Sequence, residues 1–150
     1  MLTHYQNTRT LMISSAILGG GFLFGALAHV VGWLPFGSLA NESQILPTAL
    51  VEVFCGLALL YAAAVLRTPD PESYPRSFIA HVGAIMAVVV GMFSFTLGVG
   101  KSTELNTAFH AVMLVLLVLN TVGLWRLRPR NPEKPIEQHH IAARVYQGHP

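Results

Sequence analysis

Four long apolar stretches dominate the chain, with short polar segments between them. The first covers about Leu11–Leu34, with no Asp, Glu, Lys or Arg between Arg9 and Glu42. The second, about Ile45–Leu66, holds a single acid, Glu52. The third, about Phe78–Gly100, and the fourth, about Leu105–Trp125, contain no acid, Lys or Arg but carry His81 and His110. Each is near the roughly 20 residues that a helix needs to cross about 30 Å of hydrocarbon. Backbone in lipid must close its hydrogen bonds within a helix or a closed barrel. None of the four stretches alternates as a barrel strand does, so the pattern predicts four transmembrane helices. The linkers agree. Pro35–Gln44 supplies Gly37, Asn41 and Ser43 as turn residues, and Arg67–Ser77 carries Pro69, Pro71 and Pro75, which predicts that no helix runs through it. Lys101–Glu104 reads as a tight hairpin with Thr103 as N-cap of the fourth helix. Short linkers force antiparallel neighbours. The predicted fold is all-α: an up-down-up-down four-helix membrane bundle over 1–128, followed by a polar tail over 129–150. Ser38-Leu39-Ala40 has the small residues of a cleavage site, but the apolar stretch before it exceeds a signal peptide's usual core, so the first span is expected to remain.

Composition strengthens this reading. Hydrophobic residues make up 53% of the 150 and charged residues only 11%, with a mean hydropathy of +0.54. Soluble domains carry about 25% charge. A soluble domain, a disordered chain and a disulfide scaffold are thereby excluded, the last also because Cys55 is the sole cysteine. The net charge of +2 does not indicate nucleic acid. Five of the nine basic residues (Arg126, Arg128, Arg130, Lys134, Arg144) follow the last span, as on a cytoplasmic flank. Arg9 precedes the first span, Arg67 and Arg76 lie in the second linker, and the third linker has only Lys101. The positive-inside rule puts both termini and the middle linker in the cytoplasm, with Trp33 and Trp125 at span ends as interfacial anchors. The expected location is a bacterial inner membrane. The expected partners are the lipid bilayer and either other membrane subunits or further copies of the chain, with no nucleic acid.

Ionisable groups inside a span are costly and default to a functional hypothesis. His29, Glu52, His81 and His110 qualify. His29 lies five residues before the end of an outward-going span, Glu52 seven residues into the next, and His110 five residues into the fourth. At 1.5 Å per residue, all three lie about 8–10 Å below the outer surface. Helical spacing puts Leu18, Phe22, Gly25, Ala26 and Gly32 on the side of His29, and Thr48, Cys55, Gly56, Leu59 and Ala63 on that of Glu52. Asn106, Met113, Leu117 and Thr121 share the side of His110. These small or polar faces predict the bundle interior, and the pair Gly21 and Gly25 predicts a close helix approach.

Several chemistries suit such a layer. Two imidazoles and a carboxylate are a ligand set for zinc, copper or iron, with Met113 a further candidate for copper. His29 and His110 are candidate axial ligands of a b-type haem. Glu52 with a histidine is suited to binding and protonating a quinone head group or relaying protons. The plainest reading is that Glu52 bonds a histidine to pin the helices. His81 is alone in the opposite leaflet and reads as structural, near enough to the interface to reach water or head groups. Asn120 and Thr121 read as interhelical hydrogen bonders, and the adjacent His139 and His140 as part of a solvated tail.

The segment Leu50-Val-Glu52-Val-Phe-Cys-Gly56-Leu-Ala-Leu-Leu60 resembles the second helix of DoxX-like small membrane proteins, with a Glu followed by a glycine and a leucine-rich run. The resemblance implies a four-helix chain of this size and, for some members, quinone-linked oxidation of sulfur compounds. It carries over Glu52 alone, since the family's basic residue closing the first helix is here replaced by His29-Val-Val-Gly-Trp33. The expected function is an accessory membrane subunit of a redox or transport assembly with a site at His29, Glu52 and His110. The alternatives are a quinone-linked DoxX-like component and a metal- or haem-binding membrane protein.

Overall fold

The computed structural model describes residues 2–31, 46–68, 70, 72–98 and 103–127, and these form four α-helices and no strand. They are α1 (Leu2–Val31), α2 (Leu46–Val65), α3 (Ser73–Thr96) and α4 (Glu104–Leu127). All four are long and apolar enough to cross a membrane, α1 over Gln6–Val31 and the others over their full lengths. Each packs against the next, and α4 returns to α1, closing an antiparallel four-helix bundle. The pairing directions show it. Glu52 of α2 meets His29 of α1 and His110 of α4, while Ser15 and Ser14 of α1 meet His81 of α3 and Asn120 of α4 further along. Trp33, the first linker, Lys101 and the tail with His139 and His140 lie outside the described residues.

The helix ends depart from the apolar boundaries for local reasons. α1 starts nine residues before Leu11, through a polar segment with exposed Gln6, Asn7, Arg9 and Thr10. Hydropathy marks only the part of a helix in lipid, and these roughly two and a half turns extend beyond it. α3 starts five residues before Phe78 and takes Pro75 into its first turn. A proline there interrupts nothing, because the N–H it lacks would have had no helical partner. No helix runs through the linker, as expected, but the third helix begins five residues before the predicted span. α3 stops at Thr96 rather than Gly100 because Gly98 adopts a left-handed φ of 77°, and its N–H bonds to the Phe95 carbonyl. Such a turn favours glycine. At the start of α4, the Thr103 hydroxyl accepts the Asn106 N–H at 3.1 Å, the capping bond expected of it.

The outer surface is apolar. Phe54 is 71% exposed and Ile79 70%, and Ile17, Phe93 and Leu119 are similarly bare. In water this would be an aggregation surface; around a membrane bundle it is the lipid-facing side. Outward hydroxyls bond back to their own helix, as Ser94 does to Val90 O, Thr96 to Phe93 O and Thr107 to Thr103 O. Thr121 does the same toward Leu117 O, so its expected interhelical bond is not made. Asn120 makes one, accepting from Ser14 at 2.6 Å.

The closest helix approach lies not at Gly21 and Gly25 but at Gly19 and Gly56. A Cβ on Gly19 would stand 2.9 Å from the Gly56 carbonyl oxygen, and one on Gly56 would stand 2.9 Å from that of Gly19 and 2.7 Å from Leu23 Cγ. Backbone cannot move aside as a side chain can. Gly19→Ala and Gly56→Ala are therefore expected to lower stability in detergent unfolding by about 1–3 kcal/mol each. Gly20→Ala, with open space at its Cβ, is expected to be neutral or slightly stabilising.

Candidate functional site

Glu52 sits on α2, six residues past its start, and His110 sits six residues into α4. At 1.5 Å per residue both lie about 9 Å along their helices from the same end of the bundle. His29 is two residues before the last described residue of α1. The three residues predicted to share a layer are brought together. Glu52 Oε1 is 3.1 Å from His110 Nε2 and 3.7 Å from His29 Nε2. Glu52 and His29 are each 2% exposed and His110 is buried beside them. Of the predicted inward faces, Leu18, Phe22, Ala26, Cys55, Gly56, Leu59, Ala63, Asn106, Met113 and Leu117 are buried, Gly25, Thr48 and Thr121 are partly exposed, and Gly32 lies outside the described residues.

Gly25 makes room for the carboxylate. A Cβ there would lie 3.0 Å from Glu52 Oε1 and 3.2 Å from Oε2. Gly21, one turn earlier, makes room for Met113, whose methyl would stand 3.1 Å from a Cβ at that position. The two glycines thus admit side chains from α2 and α4, while backbone contact is made at Gly19 and Gly56.

The hydrogen bonding fixes where one proton is. His110 Nδ1 lies 2.9 Å from the Asn106 carbonyl oxygen, which only accepts, so Nδ1 carries a hydrogen. Nε2 then faces Glu52 with either a lone pair or a second hydrogen. A lone pair opposite a bare carboxylate would be repulsive in a low-dielectric interior. The imidazole edge stands within ion-pair range of the carboxylate. His29 differs, because its Nδ1 has no hydrogen-bond partner among the described residues. Neither carboxylate oxygen forms a hydrogen bond of good geometry with the described residues. Three buried polar atoms in one layer are thus left for a further donor or acceptor to complete, each at a cost of about 1–3 kcal/mol while unmet.

A cavity of about 530 Å³ opens from this layer between α2 and α3. Glu52 and His110 line its inner part, and Phe22, Val51, Cys55, Met86, Val88 and Val90 are among its apolar walls. Val51, Met86 and Val90 are also exposed on the outer surface, so the cavity opens sideways toward lipid. A second hollow of about 600 Å³, between α3 and α4, also reaches His110, and Phe95 lines both.

A haem does not fit between the histidines. One carboxylate oxygen stands within ion-pair range of both Nε2 atoms, which leaves no room there for a porphyrin. Among the described residues no group of three His, Cys, Asp or Glu side chains is spaced to hold a metal ion, so the zinc, copper and iron expectation gains no support from the geometry. Met113 is taken up by its place over Gly21 and in the apolar core.

His81 is fully buried, not in reach of water. Its Nδ1 donates to the Ser77 carbonyl at 2.8 Å, and its Nε2 lies 3.2 Å from Ser15 Oγ, which is also 2.7 Å from the Leu11 carbonyl. Ser77 in turn donates to the Ala62 carbonyl of α2 at 3.0 Å. This knot ties α1, α2 and α3 together. Sequence reading missed it because single serines carry little signal, although Ser15, Ser77 and His81 all fall on the inward side of their helices. Between the knot and the Glu52 layer lies a dry plug of Leu18, Phe22, Leu59, Val88, Met113 and Leu117.

The fold and site together define a four-helix membrane-spanning bundle with a buried acid–imidazole layer near one end. No protein-family model, curated protein or solved structure matches the chain.

The distances order the two histidines. In a double-mutant cycle read by unfolding in micelles, Glu52→Gln with His110→Leu is expected to show a coupling of about 1 kcal/mol or more. Glu52→Gln with His29→Leu is expected to couple less. Additive effects in the first cycle would remove the pair as an energetic unit.

Proposed function

We propose that the protein is a small multi-pass subunit of a membrane redox or transport assembly, and that its Glu52–His110–His29 layer takes the polar head of a lipid-soluble ligand. The observation that carries this reading is the coincidence of the unpartnered carboxylate oxygens with a largely apolar cavity that opens toward lipid. Pinning of helices accounts for the 3.1 Å pair but not for the unmet atoms beside it or for the space in front of them. A ligand with apolar bulk and one carbonyl or hydroxyl group meets both: the walls take the bulk, and the carboxylate–imidazole pair takes the polar group.

A quinone is the chemical class that suits these demands, and the resemblance of the second span to DoxX-like proteins points the same way. In this role Glu52 and His110 exchange a proton with the ring oxygen, and electrons come from a partner subunit. The subunit role is supported by the plug of Leu18, Leu59, Val88 and Leu117, which interrupts the polar groups between the two ends of the bundle. A bundle of this size offers no polar route of its own across the membrane among the described residues. Orientation follows charge: Arg9, Arg67, Arg76 and Arg126, all the Lys and Arg among the described residues, lie at the end opposite Glu52. The positive-inside rule makes that end cytoplasmic and puts the acid–imidazole layer on the outer side of a bacterial inner membrane.

The test is binding of a short-chain benzoquinone to the full chain in nanodiscs, followed by calorimetry. Saturable binding is expected, weakened at least about tenfold by Glu52→Leu, the loss of one charge-assisted hydrogen bond. Gly91→Leu is expected to weaken it too, since Gly91 lines the cavity and a Cβ there meets nothing; it fills the space without touching the polar pair. Absent saturation, or binding indifferent to both variants, would refute the reading.

A further inference from the structure

At the end of the bundle opposite Glu52, a smaller pocket of about 300 Å³ is lined by Thr8, Arg9 and Met12 of α1 and by Leu66 and Arg67 just past α2. We infer that this pocket binds the phosphate of an anionic phospholipid, with Arg9 and Arg67 as its two cationic jaws.

Its composition is the argument. Arg9 of α1 and Arg67 just past α2 line one hollow, and among the described residues no carboxylate lines it. Neither arginine forms an ion pair with an acid among the described residues, where the recorded pairs are those of Glu52 with its two histidines. Like charges brought together without a counter-charge repel, so the pocket is set up for an anion. Guanidinium forks match phosphate oxygens in pairs.

The floor decides between a lipid and a free anion. Met12 and Leu66 belong to the apolar cluster of Leu11, Leu66 and Leu124 at this end. Inorganic phosphate has no use for an apolar floor, whereas a phospholipid sets its glycerol and first methylenes against one. The rim is held in place: the Thr8 and Tyr74 hydroxyls bond each other at 2.8 Å, tying α1 to α3 beside the pocket. Trp125, half-exposed and stacked at a tilt on Phe78 with ring centroids 5.8 Å apart, marks the same end of the bundle as interfacial. Basic pockets between helices at this level are where acidic head groups dock.

The test uses the purified full chain, stripped of lipid in neutral detergent. It is titrated separately with phosphatidylglycerol, phosphatidylcholine and inorganic phosphate, and bound lipid is counted by native mass spectrometry. Preferential retention of phosphatidylglycerol is expected. Arg9→Gln and Arg67→Gln should each weaken it by about fivefold, the share of one cation near an anionic surface. Arg76→Gln removes the same charge at the same end but lies off the pocket, and is expected to leave retention unchanged. Both pocket arginines are exposed, so their replacement leaves the fold intact, and Arg→Lys should restore part of the binding. Equal losses in all three Gln variants would reduce the effect to general surface charge and overturn the site. Equal retention of phosphatidylcholine, or full displacement by inorganic phosphate, would overturn the lipid assignment.

Discussion

A carboxylic acid inside a membrane-spanning bundle cannot be left as a bare anion facing lone pairs, and the arrangement around Glu52 answers that constraint. His110 has its Nδ1 hydrogen committed to the Asn106 carbonyl at 2.9 Å, so its other nitrogen faces Glu52 Oε1 at 3.1 Å, within ion-pair range. Much of this half of the bundle follows from making that meeting possible. Gly25 has to lack a side chain, because a Cβ would sit 3.0 Å from the carboxylate. α1 and α2 have to cross closely, which Gly19 and Gly56 permit by bringing backbone to backbone. With those three glycines in place, an acid on α2 reaches a histidine on α4 past the body of α1.

The same physics organises the other half differently. His81 uses the same anchor as His110, an Nδ1 hydrogen donated to the carbonyl four residues earlier. Its Nε2 meets a serine hydroxyl rather than a carboxylate. Ser15, Ser77 and His81 bond one another and backbone carbonyls, and neither cavity at the Glu52 layer reaches them. The contrast separates a polar group that holds helices from one that has binding capacity to spare. Glu52 and His29 keep unpartnered atoms beside an opening toward lipid, and the proposed ligand site rests on that difference. The leucine-rich plug interrupts the polar groups between the two layers.

Much of the fold was legible in the sequence, because a bilayer leaves few options. Unbroken apolar stretches near 20 residues can only be helices, and short linkers can only join antiparallel ones. The depth argument that placed His29, Glu52 and His110 in one layer worked because rise per residue is fixed once a span's end is known. What the sequence concealed was local. Helix continuation through Pro75 and into the polar residues before Leu11 left no hydropathy signal, since caps and first turns follow backbone rules rather than apolarity. The motif Gly21–Gly25 had the right spacing for helix contact, yet the contact fell on Gly19. Which glycine meets a backbone depends on helix rotation, and that is set by packing over the whole span. His81 showed that depth alone is a poor guide to exposure: it lies in the first half of α3, yet faces the interior.

The Glu52–His110 contact is the centre of this account, and nitrogen NMR of the full chain in lipid bilayers, with histidine rings labelled, tests it most directly. The expected spectrum has His110 Nδ1 protonated and an Nε2 resonance that shifts when Glu52 becomes Gln, while the His81 signals stay in place. An Nε2 resonance of an ordinary neutral imidazole, indifferent to Glu52→Gln, would contradict it.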